Sequence, residues 1–198
     1  IAQCIDETDI QKAVNFAREY SLLPAVKCGG HSVSGKGTCD LGIMIDLSPF
    51  RGSRLDINNK RIFITGGSWL SELDEATVPY GLGTTAGTVS HTGVGGLATG
   101  GGFGRLGRKY GLTLDNIKSI EIVTADGQLR YADENENSDL YWAVRGGGGN
   151  FGVVTMFEFQ LYPMNREIIG GRITFDFADV KQLLKFHGEH TLEAPWDM

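Results

Sequence analysis

The sequence predicts an α+β fold, on three observations. Strand-like runs are joined directly into hairpins by short polar turns, at Asn58-Asn59 and at Asp126-Gly127. Helical and strand-like segments mix without the strict alternation that a doubly wound parallel sheet requires. The 29 glycines, about twice the usual ~7% share, gather at 29–37, 81–111 and 146–152, while the intervening segments keep ordinary hydrophobic patterns.

Each element follows from its pattern. ETDIQKAVNFAREYSL (7–22) sets Ile10, Ala13, Val14, Ala17 and Leu22 close to a helical repeat, with Thr8 or Asp9 as its cap. PAVKC (24–28) is a short strand running into the first glycine loop, and GIMIDL (42–47) is a second strand, buried on both faces. RLDINNKRIFITGG (54–67) is the first hairpin, and WLSELDEATVPYGL (69–82) is a helix ending near Pro79 and Gly81. The glycine-dense run 83–111 shows no hydrophobic period until Leu112. NIKSIEIVTADGQLRYA (116–132) is the second hairpin, SDLYWAVRG (138–146) a short helix capped by Ser138, and FGVVTMFEFQLYP (151–163) a long alternating strand. A linker at 163–170 precedes GGRITFDFADVKQLLKFHGEH, a strand leading into a helix. No internal repeat stands out.

Composition narrows the function classes. With 198 residues, 41% hydrophobic and 21% charged, the chain is long enough to bury a core. It holds no run of eighteen apolar residues, so no membrane partner is expected. A net charge of −6 argues against nucleic acid, because there is no basic surplus to neutralise phosphates. A small phosphate-bearing cofactor stays compatible, since backbone amides hold phosphate without net positive charge. Cys4, Cys28 and Cys39 lack metal-type spacing, and their odd number argues against a closed disulfide framework. His187 and His190 stand three apart with no third ligand near, so no metal is expected and both read as solvated residues. The chain starts without Met and carries no N-x-S/T sequon. The expectation is of a chain cut or processed at both ends, with the compartment left open.

Two stretches match G-x-G-x-x-G, at 102–107 and 147–152. The first follows a glycine run and the second follows a helix and leads into a strand. A Rossmann site needs strand, loop, then helix, so that pyrophosphate meets a helix N-terminus; neither context fits. The physics of glycine survives that rejection, because consecutive backbone N–H groups in tight turns form an anion-binding concavity. Loops 27–35 and 87–104 are placed to clamp one pyrophosphate from two sides. One such loop alone is more often a hairpin turn or a close-packed crossing. His31, in KCGGHSVSG (27–35), has glycine neighbours that leave it no side-chain packing and aim it at whatever the loop holds; taken alone it is more often a turn histidine. His91, in GTVSHTGVGG (87–96), reads equally as a capping or a ligand-contact residue.

Taken in order, five stretches resemble the FAD-linked oxidases of the vanillyl-alcohol oxidase superfamily, in the berberine-bridge-enzyme-like branch with its PCMH-type FAD-binding domain. They are GGHSVSG (29–35), MIDLS (44–48), AGTVSHTGVGGLATGGGFGRLGRKYGLTLDN (86–116), IVTADG (122–127) and NSDLYWAVRGGGGNFGVVTMFEF (137–159). The resemblance runs from about Ile1 to Pro163. It implies two α+β subdomains with the flavin between them: residues 1–48, N-terminally incomplete, and residues 49–165. Residues 166–198 would begin a truncated substrate domain.

The resemblance also implies site residues. In the family the histidine of the GGHS loop is bonded to the 8α-methyl of the isoalloxazine, and that position is His31. Lys27, Cys28, Gly29, Gly30, His31 and Ser32 would hold the pyrophosphate through backbone amides. Gly87, Thr88, Thr92, Gly93, Gly95 and Leu97 fall on family flavin contacts, and Val153 falls where the main chain meets the adenine side. Many members carry a second link from a cysteine at the position held here by Val89, which cannot form a thioether, so a single link through His31 is expected. The implied activity is hydride transfer from a substrate C–H (alcohol, sugar or secondary metabolite) to covalent FAD, reoxidised by O₂ to give H₂O₂. The catalytic base, supplied in the family by the substrate domain, is expected outside these 198 residues. Two alternatives stand beside this reading: a noncovalent FAD dehydrogenase using another acceptor, and a non-catalytic flavin-binding fragment.

Overall fold

A computed structural model describes residues 1–165, 167 and 170–195. Two sheets organise the chain. Strands β1 (Ala2–Gln3), β2 (Pro24–Lys27) and β3 (Ile43–Asp46) form a parallel sheet in the order β1-β3-β2. Strands β4 (Ser53–Asp56), β5 (Arg61–Thr65), β7 (Ile117–Val123), β8 (Leu129–Ala132) and β9 (Val153–Gln160) form a fully antiparallel sheet in the order β4-β5-β9-β7-β8. A short pair joins β6 (Leu82–Gly83) to β10 (Tyr162–Pro163). The antiparallel sheet bears out the α+β class and the rejection of a Rossmann arrangement.

Each sheet supports its own apolar cluster. Helix α1 (Glu7–Glu19) covers the parallel sheet with Ile10, Ala13 and Ala17, which meet Ile43, Ile45 and Leu47; Val123 and Val153 close the cluster from the other sheet. Strand β9 alternates buried Phe157 and Phe159 with half-buried Met156 and Glu158. Burying each phenylalanine contributes about 1.5–3 kcal/mol. Their cluster takes in Ile62, Ile64, Ile120 and Ile122, with Leu70 and Leu73 from α2 (Leu70–Thr77) and Val144 from α5 (Ser138–Gly147).

Both expected hairpins are present. In the β7–β8 turn the Thr124 hydroxyl, the Gln128 amide and Arg130 hold the Asp126 carboxyl down to about 2, while the turn's Asp126 and Gly127 carbonyls accept from Arg18 and Gln11 of α1. The turn thereby fastens one sheet's helix to the other sheet.

Four local expectations are corrected. Asp6, not Thr8 or Asp9, caps α1, because its carboxylate sits three residues before the free Asp9 amide and accepts from it at 2.8 Å. Asn137, in the left-handed region, precedes α5, so Ser138 is already helical. Helices α3 (Val94–Gly100) and α4 (Gly107–Tyr110) arise inside the glycine run, where only Val94 and Ala98 mark a buried face. No strand forms at 171–176; Ile173 and Phe175 have no sheet edge beside them and stay exposed before α6 (Val180–Glu193).

Candidate functional site

Strand β2 ends at Lys27, where the parallel sheet hands the chain to the first glycine loop. The Lys27 ammonium is fixed there by both Asp46 oxygens at 3.2 Å and the Ser48 hydroxyl at 3.0 Å. Burial alone would raise the Asp46 carboxyl, but the Ser48 hydroxyl and amide and the Lys27 ammonium outweigh it and hold the group below its usual range. The next residues lie directly on the second glycine loop. A Cβ at Gly29 would collide with the Gly93 backbone and stand 2.9 Å from the His91 carbonyl oxygen. Gly30 takes φ +74°, a left-handed turn that presents His31 outward.

The second loop is held from behind by the start of α2. Leu70 and Ser71 amides donate to the Thr92 and Ser90 carbonyls at 3.0 and 2.9 Å, and the Val94 amide donates to Ser68 at 2.9 Å. Trp69, beside this contact, lies under the Arg51 guanidinium at 3.8 Å, and Arg51 also bonds the Ser48 carbonyl at 2.7 Å. Cys28 plugs the junction between the loops. Burial pushes its thiol up despite amide contacts from Gly95, Gly29 and Gly96, so it stays a neutral packing group that faces the Ser68 carbonyl at 3.6 Å. At the mouth, exposed His31 and His91 meet, Nε2 to Nδ1 at 2.6 Å with ring centres 4.6 Å apart.

Beyond the histidines, the second loop and α3 line an open cleft of about 400 Å³. Gly87, Thr88, Val89, Thr92 and Leu97 face it, together with Gly96, Gly100, Gly102 and the exposed ring of Phe103. At Gly96 and Gly100 nothing stands within 4 Å of where a Cβ would project. That bare backbone floor, beside paired imidazoles and two amide-rich loops, fits a flat ring system joined to an anionic bridge.

The structure thus brings Cys28 and Gly29 against Gly93, turns the chain at Gly30 so that His31 meets His91, and sets Gly87, Thr88, Thr92 and Leu97 around the adjoining cleft. Gly95 lies behind it, against the Gly66 carbonyl. Ser32 is exposed and accepts from the Lys36 amide at 3.1 Å, shaping the loop itself. Val153 stands apart: it pairs with Val123 and buries its side chain in the N-terminal cluster. His187 and His190 lie on α6, where His190 stacks on Phe186. Among the described residues no group of three His, Cys, Asp or Glu is arranged to hold a metal, and no helix is long and apolar enough to cross a membrane. Sequence reasoning missed the pairing of His91 with His31, the cleft-facing Gly96, Gly100 and Phe103, and the buried, unpartnered hydroxyls of Thr84 and Thr85 just before Gly87. Gly96 and Gly100 stand four apart, but with no apolar period around them the sequence carried no signal that they share a helical face.

Residues 1–133 match the family described as FAD binding domain. An FAD-linked oxidoreductase of Dictyostelium discoideum is 40% identical over 182 residues, covering 92% of this chain and 40% of that protein. The crystal structure of 6-hydroxy-D-nicotine oxidase from Arthrobacter nicotinovorans superposes with a TM-score of 0.91 at 37% identity, over 97% of this chain and 43% of that one. Glucooligosaccharide oxidase from Acremonium strictum, described with a 6-S-cysteinyl, 8α-N1-histidyl FAD, reaches a TM-score of 0.75 at 32% identity, over 81% of this chain and 34% of that one. The chain spans about two fifths of the length of the curated relatives it matches. Motif order, fold and cleft agree with these matches: the chain belongs to the FAD binding domain family of flavin-linked oxidoreductases, as its glycine motifs lead one to expect.

Proposed function

We propose that this chain is the FAD-binding portion of an oxidase that holds its flavin by one covalent bond, to His31. Bound FAD supplies hydride acceptance from a substrate C–H and the passage of the electrons to dioxygen, giving hydrogen peroxide. The chain's own part is binding and orientation. Amides of residues 27–32 and of the 87–97 loop receive the pyrophosphate from two sides, and His31, held against His91 of the loop that lines the cleft, takes the ring. Gly96 and Gly100 let that ring lie against backbone. Val153 offers main-chain contact toward the adenine end. Val89 lines the cleft where a second, thioether link would form and has no sulfur to form it.

The observation that carries the reading is the meeting of the two glycine loops at His31 and His91, beside a cleft floored by glycine. Residues 1–48 and 49–165 act in it as the two flavin-binding subdomains, each with its own sheet, and 166–198 begin the substrate domain. The small-molecule substrate and the base that deprotonates it belong to that domain.

The reading is tested on the full-length gene product. Acid precipitation leaves yellow colour in the pellet, and peroxide accumulates with at least one member of a panel of sugars, alcohols and amines. Colour released to the supernatant, with dye reduction and no peroxide, would establish the noncovalent dehydrogenase instead.

A further inference from the structure

The 2.6 Å contact between His31 Nε2 and His91 Nδ1 requires one proton between two ring nitrogens, and its two settings differ in consequence. If His91 donates, the Nε2 lone pair of His31 is occupied and its Nδ1 carries the other proton, leaving no nitrogen free to attack. If His31 donates, its Nδ1 lone pair is free, and His91 Nδ1 already sits where the departing proton must go. His31 also has no carboxylate partner among its described contacts, whereas histidines that act as nucleophiles or bases are usually oriented by a neighbour.

We infer that His91 is the positioning and proton-accepting partner for attachment of FAD to His31; this rests on the covalent reading above. His91 holds His31 in the Nε2–H tautomer and takes that proton as Nδ1 bonds to the flavin. Attachment forms one C–N bond, from His31 Nδ1 to the 8α carbon, and breaks one C–H and one N–H bond. The N–H proton passes to His91 and on to water, which the exposed ring contacts. The C–H proton is lost from the methyl group, an electron pair remains on the ring system, and a ring nitrogen takes up one proton. Dioxygen then removes two electrons, and leaves with two protons as hydrogen peroxide.

Two substitutions separate holding from proton transfer. His91→Asn keeps an acceptor oxygen near the Nδ1 position but cannot carry the proton away, and His91→Ala removes both. Full-length apoprotein is mixed with FAD in air, and acid-stable flavin fluorescence is followed over time. Quenching of free FAD fluorescence measures noncovalent binding separately. Both variants are expected to bind FAD yet attach it about 10²-fold more slowly, the scale of general-base assistance. Added imidazole should restore the rate in His91→Ala, and not in His91→Asn, where the amide fills the space. Attachment by His91→Ala at the wild-type rate, or a loss fully explained by lost FAD binding, overturns the inference. If the wild type itself carries no acid-stable flavin, the covalent reading fails instead, so the two failures are distinct.

Discussion

Gly29 and Gly93, sixty-four residues apart, lie backbone against backbone. A Cβ at Gly29 would strike Gly93 and reach within 2.9 Å of the His91 carbonyl, and one at Gly93 would strike Cys28. The Cys28 thiol could turn aside, but each added Cβ also meets backbone, the Gly93 nitrogen in one case and the Gly29 nitrogen in the other, so the loops must part. Gly29→Ala and Gly93→Ala are each expected to cost about 1–3 kcal/mol, the range for overpacking a close contact. Because separating the loops opens the amide clamp, flavin content should fall with stability. Urea unfolding and the absorbance ratio of flavin to protein check both.

Gly96 supplies the opposite case. It sits on α3 facing the cleft, with nothing within 4 Å of the place a Cβ would occupy. Gly96→Ala should therefore stabilise the apoprotein by about 0.5–1 kcal/mol through helix propensity. It should also lower flavin content, since the added methyl stands where the ring would lie. Unchanged flavin content in a stabilised protein would remove Gly96 from the cofactor floor.

The Lys27–Asp46–Ser48 cluster gives a pH dependence with a definite sign. The folded state holds the Asp46 carboxyl below its unfolded value, so its contribution is present above about pH 4 and is lost as pH falls through the folded value. Asp46→Asn should cost about 1.5–3 kcal/mol at pH 7, the range for hydrogen bonds to charged groups. The difference between the two proteins should shrink toward pH 3. Urea midpoints measured from pH 7 down to pH 3 check the direction; a difference that grows on acidification contradicts it.

The hairpins and α2 were legible because they rest on local chemistry: Asn58-Asn59 and Asp126-Gly127 reverse the chain, and Pro79 and Gly81 close a helix. Helix α3 was not legible, because Gly95, Gly96 and Gly100 erase the apolar period and leave Val94 and Ala98 as its only buried marks. Ile173 and Phe175 show the reverse error: alternation without a neighbouring strand is no strand. The cofactor loops could be found from glycine and from motif order, but the His31–His91 contact could not. It depends on sheet β1-β3-β2 and the start of α2 bringing residues sixty apart to one place.

The central claim is that His31 alone tethers the flavin. Trypsin cleaves after Lys27 and Lys36, so the peptide Cys28–Lys36 isolates that histidine from His91. Mass spectrometry of the digested full-length protein should find FAD on this peptide and on no other, with His31→Ala giving a colourless acid pellet. An unmodified Cys28–Lys36 peptide from yellow, acid-precipitated protein would contradict the account.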